Sequence, residues 1–126
     1  DKIFIKGENI IVDTSPYYNN YLLSYSETFF TEFNEEHEKV WKIYEMMYEN
    51  LEQYLKPGVE CSKIDLYLRE FLSRYNLNFP HFSGYPLGEF TKPYCYPNSE
   101  DVLERNMVFV LVPAIYIKGK FGIRII

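Results

Sequence analysis

The sequence predicts a single α+β domain, and three observations carry that expectation. Two stretches with apolar residues at helical spacing lie side by side in the middle of the chain. Strand-like runs precede and follow them. The last long run, Val108 to Val112, is continuously apolar and bounded by turn residues, which fits a strand buried on both faces. Two helices joined by a short loop are expected to pack antiparallel on one face of an antiparallel sheet.

The elements follow in order. Lys2 to Asp13 reads as a short strand, a turn at Lys6-Gly7-Glu8, and a second strand Asn9-Ile10-Ile11-Val12. Ser15-Pro16 marks a turn. Tyr17 to Phe30 is aromatic and strand-like, and the pair Asn19-Asn20 tolerates left-handed backbone, so a hairpin or bulge fits there. Asn34 is a good N-cap, with Glu35 and Glu36 placed to favour the helix dipole. Val40, Tyr44, Met47, Leu51 and Tyr54 or Leu55 form the apolar stripe, until Lys56-Pro57-Gly58 stops the helix. His37 is expected on the solvated side. Ser62 is expected to cap the second helix, with Asp65 reaching back as in a capping box. Ile64, Leu68, Phe71 or Leu72, and Tyr75 face its core, and Asn76 ends it. Gly84 and Gly88 allow close backbone approach around Tyr85-Pro86-Leu87. Pro113 and Ala114 break the buried run. Ile115-Tyr116-Ile117 resumes the strand, Lys118-Gly119-Lys120 turns it, and Phe121 to Ile126 returns antiparallel.

Composition excludes several functions. At 126 residues, 47% apolar and 25% charged, the chain is globular rather than disordered. The net charge of -5, without a basic cluster, argues against nucleic acid as a partner. No apolar segment approaches the ~18 residues of a membrane span. The chain starts at Asp1 without Met or a signal-like apolar core, so a boundary within a longer chain is expected. Cys61 and Cys95 lie in no metal-binding spacing and read as free thiols of a reducing compartment, which points to the cytoplasm.

Three blocks then stand in order. They are Pro80-His81-Phe82-Ser83-Gly84-Tyr85-Pro86-Leu87-Gly88, Met107-Val108-Phe109-Val110-Leu111-Val112-Pro113-Ala114-Ile115-Tyr116, and Gly119-Lys120-Phe121-Gly122-Ile123-Arg124-Ile125-Ile126. They resemble the Pro-His-x-x-Gly-His-x-x-Gly, Met-Val-Phe-Thr-x-Glu-Pro-x-Ile-Tyr and Gly-Lys-Phe-Gly-x-Arg-x-Glu blocks of the Xaa-Pro dipeptidases and aminopeptidases. Those enzymes share the pita-bread fold with the methionine aminopeptidases. The resemblance implies that fold here, mainly its C-terminal half. Lys56-Pro57-Gly58 likewise resembles the family's Lys-Pro-Gly between two helices.

The family holds two divalent metals, such as Mn, Co or Zn, with two Asp, one His and two Glu. Two close cations need bridging carboxylates to offset their charge, and together they acidify a shared water. By resemblance Asp13 matches the first ligand. Ser24, eleven positions on, stands at the second, Tyr85 at the histidine, Val112 and Ile126 at the glutamates. Those four positions offer no charged donor, so no metal cofactor is expected. Glu27 is three residues past Ser24, an odd offset that turns it to the other face of a strand, and Glu89 is no better placed. His81 resembles a pocket histidine and Arg124 an arginine that faces a substrate carboxylate. Read from the residues alone, His81 is a hydrogen-bonded strand histidine and Arg124 a surface charge.

The expectation is an Xaa-Pro peptidase-like domain that has lost metal-dependent hydrolysis and acts by binding or assembly. An active Xaa-Pro peptidase completed by other chain segments is the alternative, and a structural or interaction module is the third reading. The expected partners are a proline-containing peptide and either a second copy or a missing first half of the fold, covering the exposed face of the Val108 to Val112 strand.

Overall fold

Helix α1, Glu35–Glu49, begins where Asn34 can cap it. The Asn34 side chain accepts from the His37 amide at 3.0 Å, and His37 Nδ1 accepts from the Asn34 amide at 3.3 Å. That reciprocal pair buries His37, whose ring also lies 4.7 Å from Phe30 and 4.4 Å from Phe121. The expectation of a solvated His37 is therefore wrong: a cap at the third helical position turns the imidazole inward. Val40, Tyr44, Met47 and Leu51 are buried as their spacing requires. The helix stops earlier than Lys56-Pro57-Gly58, because Asn50 bonds back to Met46 through both its amide and its side chain. A tight turn, Glu52–Tyr54, follows, and Leu55 is left exposed.

Helix α2, Cys61–Ser73, is not capped by Ser62. Its N-cap is Glu60, without a side-chain bond, and the Cys61 amide donates instead to Asp101 O at 2.8 Å. A loop carbonyl from far along the chain replaces the local cap. Ile64, Leu68, Phe71 and Leu72 are buried, while Tyr75 is exposed. Asn76, at φ 59, ends the helix in left-handed backbone. The two helices touch, and Tyr67 Oη donates to Met47 O at 3.1 Å between them.

This computed structural model describes residues 3–19, 21–87 and 92–126. Asn20, Gly88 and Glu89 lie outside them. The described strands form four antiparallel pairs rather than one continuous sheet. Strand β1, Asn9–Thr14, pairs with β4, Tyr25–Phe30; between them β2, Tyr17–Tyr18, and β3, Tyr21–Leu22, make the small hairpin, with Asn19 at φ 47. Residues 3–5 form no strand, although Gly7 does turn the chain at φ 92. Strand β5, Gly84–Pro86, pairs with β6, Phe109–Leu111, and β7, Ala114–Ile117, pairs with β8, Phe121–Arg124, around Gly119 at φ 75. Ala114 thus opens a strand instead of breaking one.

The run Val108 to Val112 is not buried on both faces. Val108 is 59% exposed, Phe109 to Leu111 are half-buried, and only Val112 is fully covered. Among the described strands β6 pairs with β5 alone, and of its residues Phe109 and Leu111 pack on the core. Gly84 on β5 permits this pairing, since a Cβ there would meet Val110 O at 2.7 Å. Cys61 and Cys95 are both buried free thiols, and the Cys95 thiol is pushed far up by Cys61 and by burial.

Candidate functional site

Asp13 stands next to the end of strand β1 and shares its face with Ile11. Strand β8 crosses the β1–β4 hairpin and is fastened to it by polar side chains. Thr28 Oγ1 accepts from the Arg124 amide and donates to Arg124 O, both at 2.8 Å. Asn9 makes the same two-way contact with Gly122, at 2.6 and 3.3 Å. Ser26 and Ile126 exchange main-chain bonds at 3.0 and 3.3 Å. With its backbone so held, Arg124 donates from Nη1 to Asp13 Oδ2 at 3.0 Å. Arg124 is 26% exposed and Asp13 51%, so the pair opens to solvent, yet Arg124 Nε and Ser26 Oγ are buried without a partner.

Behind this pair stands a tyrosine. Tyr44 Oη donates toward Pro113 O at 3.0 Å and Ile125 O at 3.2 Å, and accepts from the Ile125 amide at 3.1 Å. It thereby ties helix α1 to both ends of the β7–β8 hairpin. Burial pushes the Tyr44 hydroxyl up, and burial together with Tyr44 pushes Tyr48 up further. The folded state then keeps protons that the unfolded chain loses above its ordinary value of 10.0. Bound protons exceed those of the unfolded state, so stability falls as pH rises through that value. Urea midpoints at about pH 8 and about pH 11 are expected to show this loss, and Tyr48→Phe is expected to reduce it.

The second half of the site comes from the segment before β5. His81 Nδ1 bonds Phe82 O at 2.8 Å, and His81 Nε2 lies 3.4 Å from Tyr116 Oη. Tyr116 in turn lies across Gly122, where an added Cβ would meet Tyr116 Cδ1 at 2.9 Å and Ile11 Cδ1 at 3.3 Å. Gly122 and Arg124 share a face of β8, as Ile11 and Asp13 do of β1. His81, Tyr116, Arg124 and Asp13 therefore line one face in sequence. Gly122→Ala is expected to push the Tyr116 ring outward, separate it from His81, and cost about 1–2 kcal/mol in chemical denaturation. An unchanged Tyr116–His81 contact in the variant's structure would contradict this placement.

The His81 segment has its own support, which the sequence reading missed. Asp65, expected to cap α2, is 1% exposed and instead meets Arg69, at 2.6 Å from Nε and 3.1 Å from Nη2. Ser83 Oγ donates to the same carboxylate. Arg69 reaches on to Phe79 O at 3.0 Å and His81 O at 2.8 Å. The i,i+4 spacing of Asp65 and Arg69 was a visible signal. Nothing local announced Tyr116 as the partner of His81.

The five positions matched to metal ligands fare differently. Asp13 is held by Arg124. Ser24 is half-buried between β3 and β4. Tyr85 packs its ring against Phe82 at 5.7 Å and Tyr94 at 6.4 Å. Val112 is 1% exposed, and Ile126 is half-buried beside Ser26. Glu27 lies opposite Val12 and accepts from the Tyr25 hydroxyl, two residues away on its own strand face. A dinuclear centre needs several carboxylates, and this donor set does not fit one. Among the described residues no group of three or more His, Cys, Asp or Glu side chains could hold a metal ion. No described helix is long and apolar enough to cross a membrane.

The comparisons agree with this architecture. An uncharacterized peptidase of Methanocaldococcus jannaschii is 33% identical, over 99% of this chain and 37% of its own length. The chain thus spans little more than a third of that relative. The crystal structure of a prolidase from Thermococcus sibiricus superposes with a TM-score of 0.87 at 31% identity, covering 98% of this chain and 35% of that one. An X-Pro aminopeptidase from Thermotoga maritima superposes at 0.88 with 30% identity, covering 99% and 37%. The fold is the pita-bread fold of these proteins, represented over about a third of their length. A model of metallopeptidase family M24 matches residues 1–126, and the chain belongs to that family.

Proposed function

We propose that this chain is an Xaa-Pro peptidase-like domain that binds a proline-containing peptide without metal-dependent hydrolysis. One observation carries the reading: the single carboxylate retained at the metal-ligand positions, Asp13, is ion-paired to Arg124 at 3.0 Å, while Val112 and Ile126 present hydrocarbon. A lone carboxylate satisfied by a guanidinium cannot bridge two divalent cations. The same face offers complementary groups to a peptide. Arg124 keeps donors free of Asp13 for a carboxylate, and His81 with Tyr116 offers polar contacts 35 positions apart in sequence. The names of the similar prolidase and X-Pro aminopeptidase support the choice of a proline peptide.

Metal content by plasma mass spectrometry, calorimetry with an Xaa-Pro dipeptide, and dipeptide hydrolysis with added Mn or Co together test the reading. Binding without stoichiometric metal or turnover is expected. Turnover would establish the active-peptidase alternative, and absence of both binding and turnover would leave a structural module. Two buried free thiols support a reducing, cytoplasmic setting. The exposed apolar residues Val12, Phe29 and Val108 support a covering partner, which we assign to the part of the fold that the relatives carry outside the matched span. Sedimentation of the chain alone, with dye binding to that surface, tests this; a self-associated dimer would favour a second copy instead.

A further inference from the structure

Resting on the reading of His81 as part of the binding face, we propose that Arg69 is a positioning residue. It fixes the segment from Phe79 to Ser83 so that the His81 ring stands in one tautomer, with Nε2 turned to Tyr116. The Arg69 guanidinium donates four bonds: two to the Asp65 carboxylate, one to Phe79 O and one to His81 O. The guanidinium also lies 4.6 Å over the Phe79 ring. The far end of the segment is held as firmly. Ser83 Oγ donates to Asp65, the Ser83 amide donates to Cys95 O at 2.7 Å, and Ser83 O accepts from the Val112 amide at 2.9 Å.

Between these anchors the Phe82 carbonyl is presented to the His81 ring at 2.8 Å. A carbonyl oxygen only accepts, so Nδ1 carries the hydrogen. In the neutral ring Nε2 is then bare and accepts from Tyr116 Oη at 3.4 Å. A ligand reaching His81 thus meets an acceptor and must bring an N–H or O–H donor. The other histidine has the opposite arrangement: His37 Nδ1 accepts from the Asn34 amide, so its hydrogen sits on Nε2. The fork of Arg69 is what a lysine lacks. Lysine can keep the charge beside Asp65 but cannot hold the carboxylate and two carbonyls at once.

The test is nitrogen NMR of the full chain labelled at histidine, recorded at about pH 8.5, about two units above the ordinary value of a free imidazole. His37→Gln assigns the two signals. The unsubstituted protein is expected to show one histidine of each tautomer. In Arg69→Lys and Arg69→Gln the His81 signal is expected to move to a tautomer mixture, with His37 unchanged. Because His37 reports the cap of α1, a general loosening would move both, and that outcome overturns the proposal. So does a His81 ring protonated on Nε2 in the unsubstituted protein, or one unaltered in both variants. The readout needs no ligand, so failure to bind a proline peptide sinks the functional reading without touching this one.

Discussion

Arg69→Met is expected to lower folding stability by about 3–5 kcal/mol, seen as a fall in melting temperature on the order of 10–20 °C. The cause is what the substitution leaves behind. Asp65 is 1% exposed, and without the guanidinium the Ser83 hydroxyl is its one remaining side-chain partner among the described residues. A buried carboxylate in that position keeps the cost of lost hydration and loses the attraction that offset it. The carbonyls of Phe79 and His81 lose donors as well, adding to the penalty. Adding Asp65→Asn to the same variant removes the stranded charge while keeping an acceptor for Ser83. The double variant is therefore expected to be more stable than Arg69→Met alone, a non-additivity that calorimetry would read directly. If Arg69→Met behaves like an ordinary surface change, within ~0.5 kcal/mol, the cluster is not the strut described above.

Restoring the family's ligands is expected to have an equally large effect, of opposite sign with and without metal. The variant carries Ser24→Asp, Tyr85→His, Val112→Glu and Ile126→Glu together. It places three new carboxylates around Asp13. Val112 is the costliest of the four, because at 1% exposure its replacement buries an unpaired charge for several kcal/mol. Metal-free, the variant should melt well below the unsubstituted protein. Manganese or cobalt at a hundredfold excess over its dissociation constant should return about 2.7 kcal/mol. The unsubstituted protein should not respond. A restored variant indifferent to both metals would mean that the five positions do not converge in space.

Three features of the fold were legible because they are local. The Asn34 cap needs only a side chain and an amide three residues on. The turns at Asn19, Asn76 and Gly119 need a residue that tolerates positive φ at that position. The helical stripes on α1 and α2 are periodic, and their buried members, Val40, Tyr44, Ile64 and Leu68 among them, follow from the period. The three sequence blocks sufficed for the family.

What the sequence alone determined, then, was that two helices lie side by side with these apolar faces, and which family's fold they belong to; the end of α1 and the cap of α2 were not among the things it determined. The polar partnerships were decided only in three dimensions. Arg124 meets Asp13 across 111 positions, and Tyr44 reaches Ile125 across 81. Most buried donors find an acceptor, but which acceptor is set by the crossing of strands, not by spacing along one of them. His37 and Asp65 combine the two scales. Each has a partner within four residues, Asn34 and Arg69, and packing adds a distant one that spacing does not reveal: the Phe121 ring against His37 and the Ser83 hydroxyl on the Asp65 carboxylate.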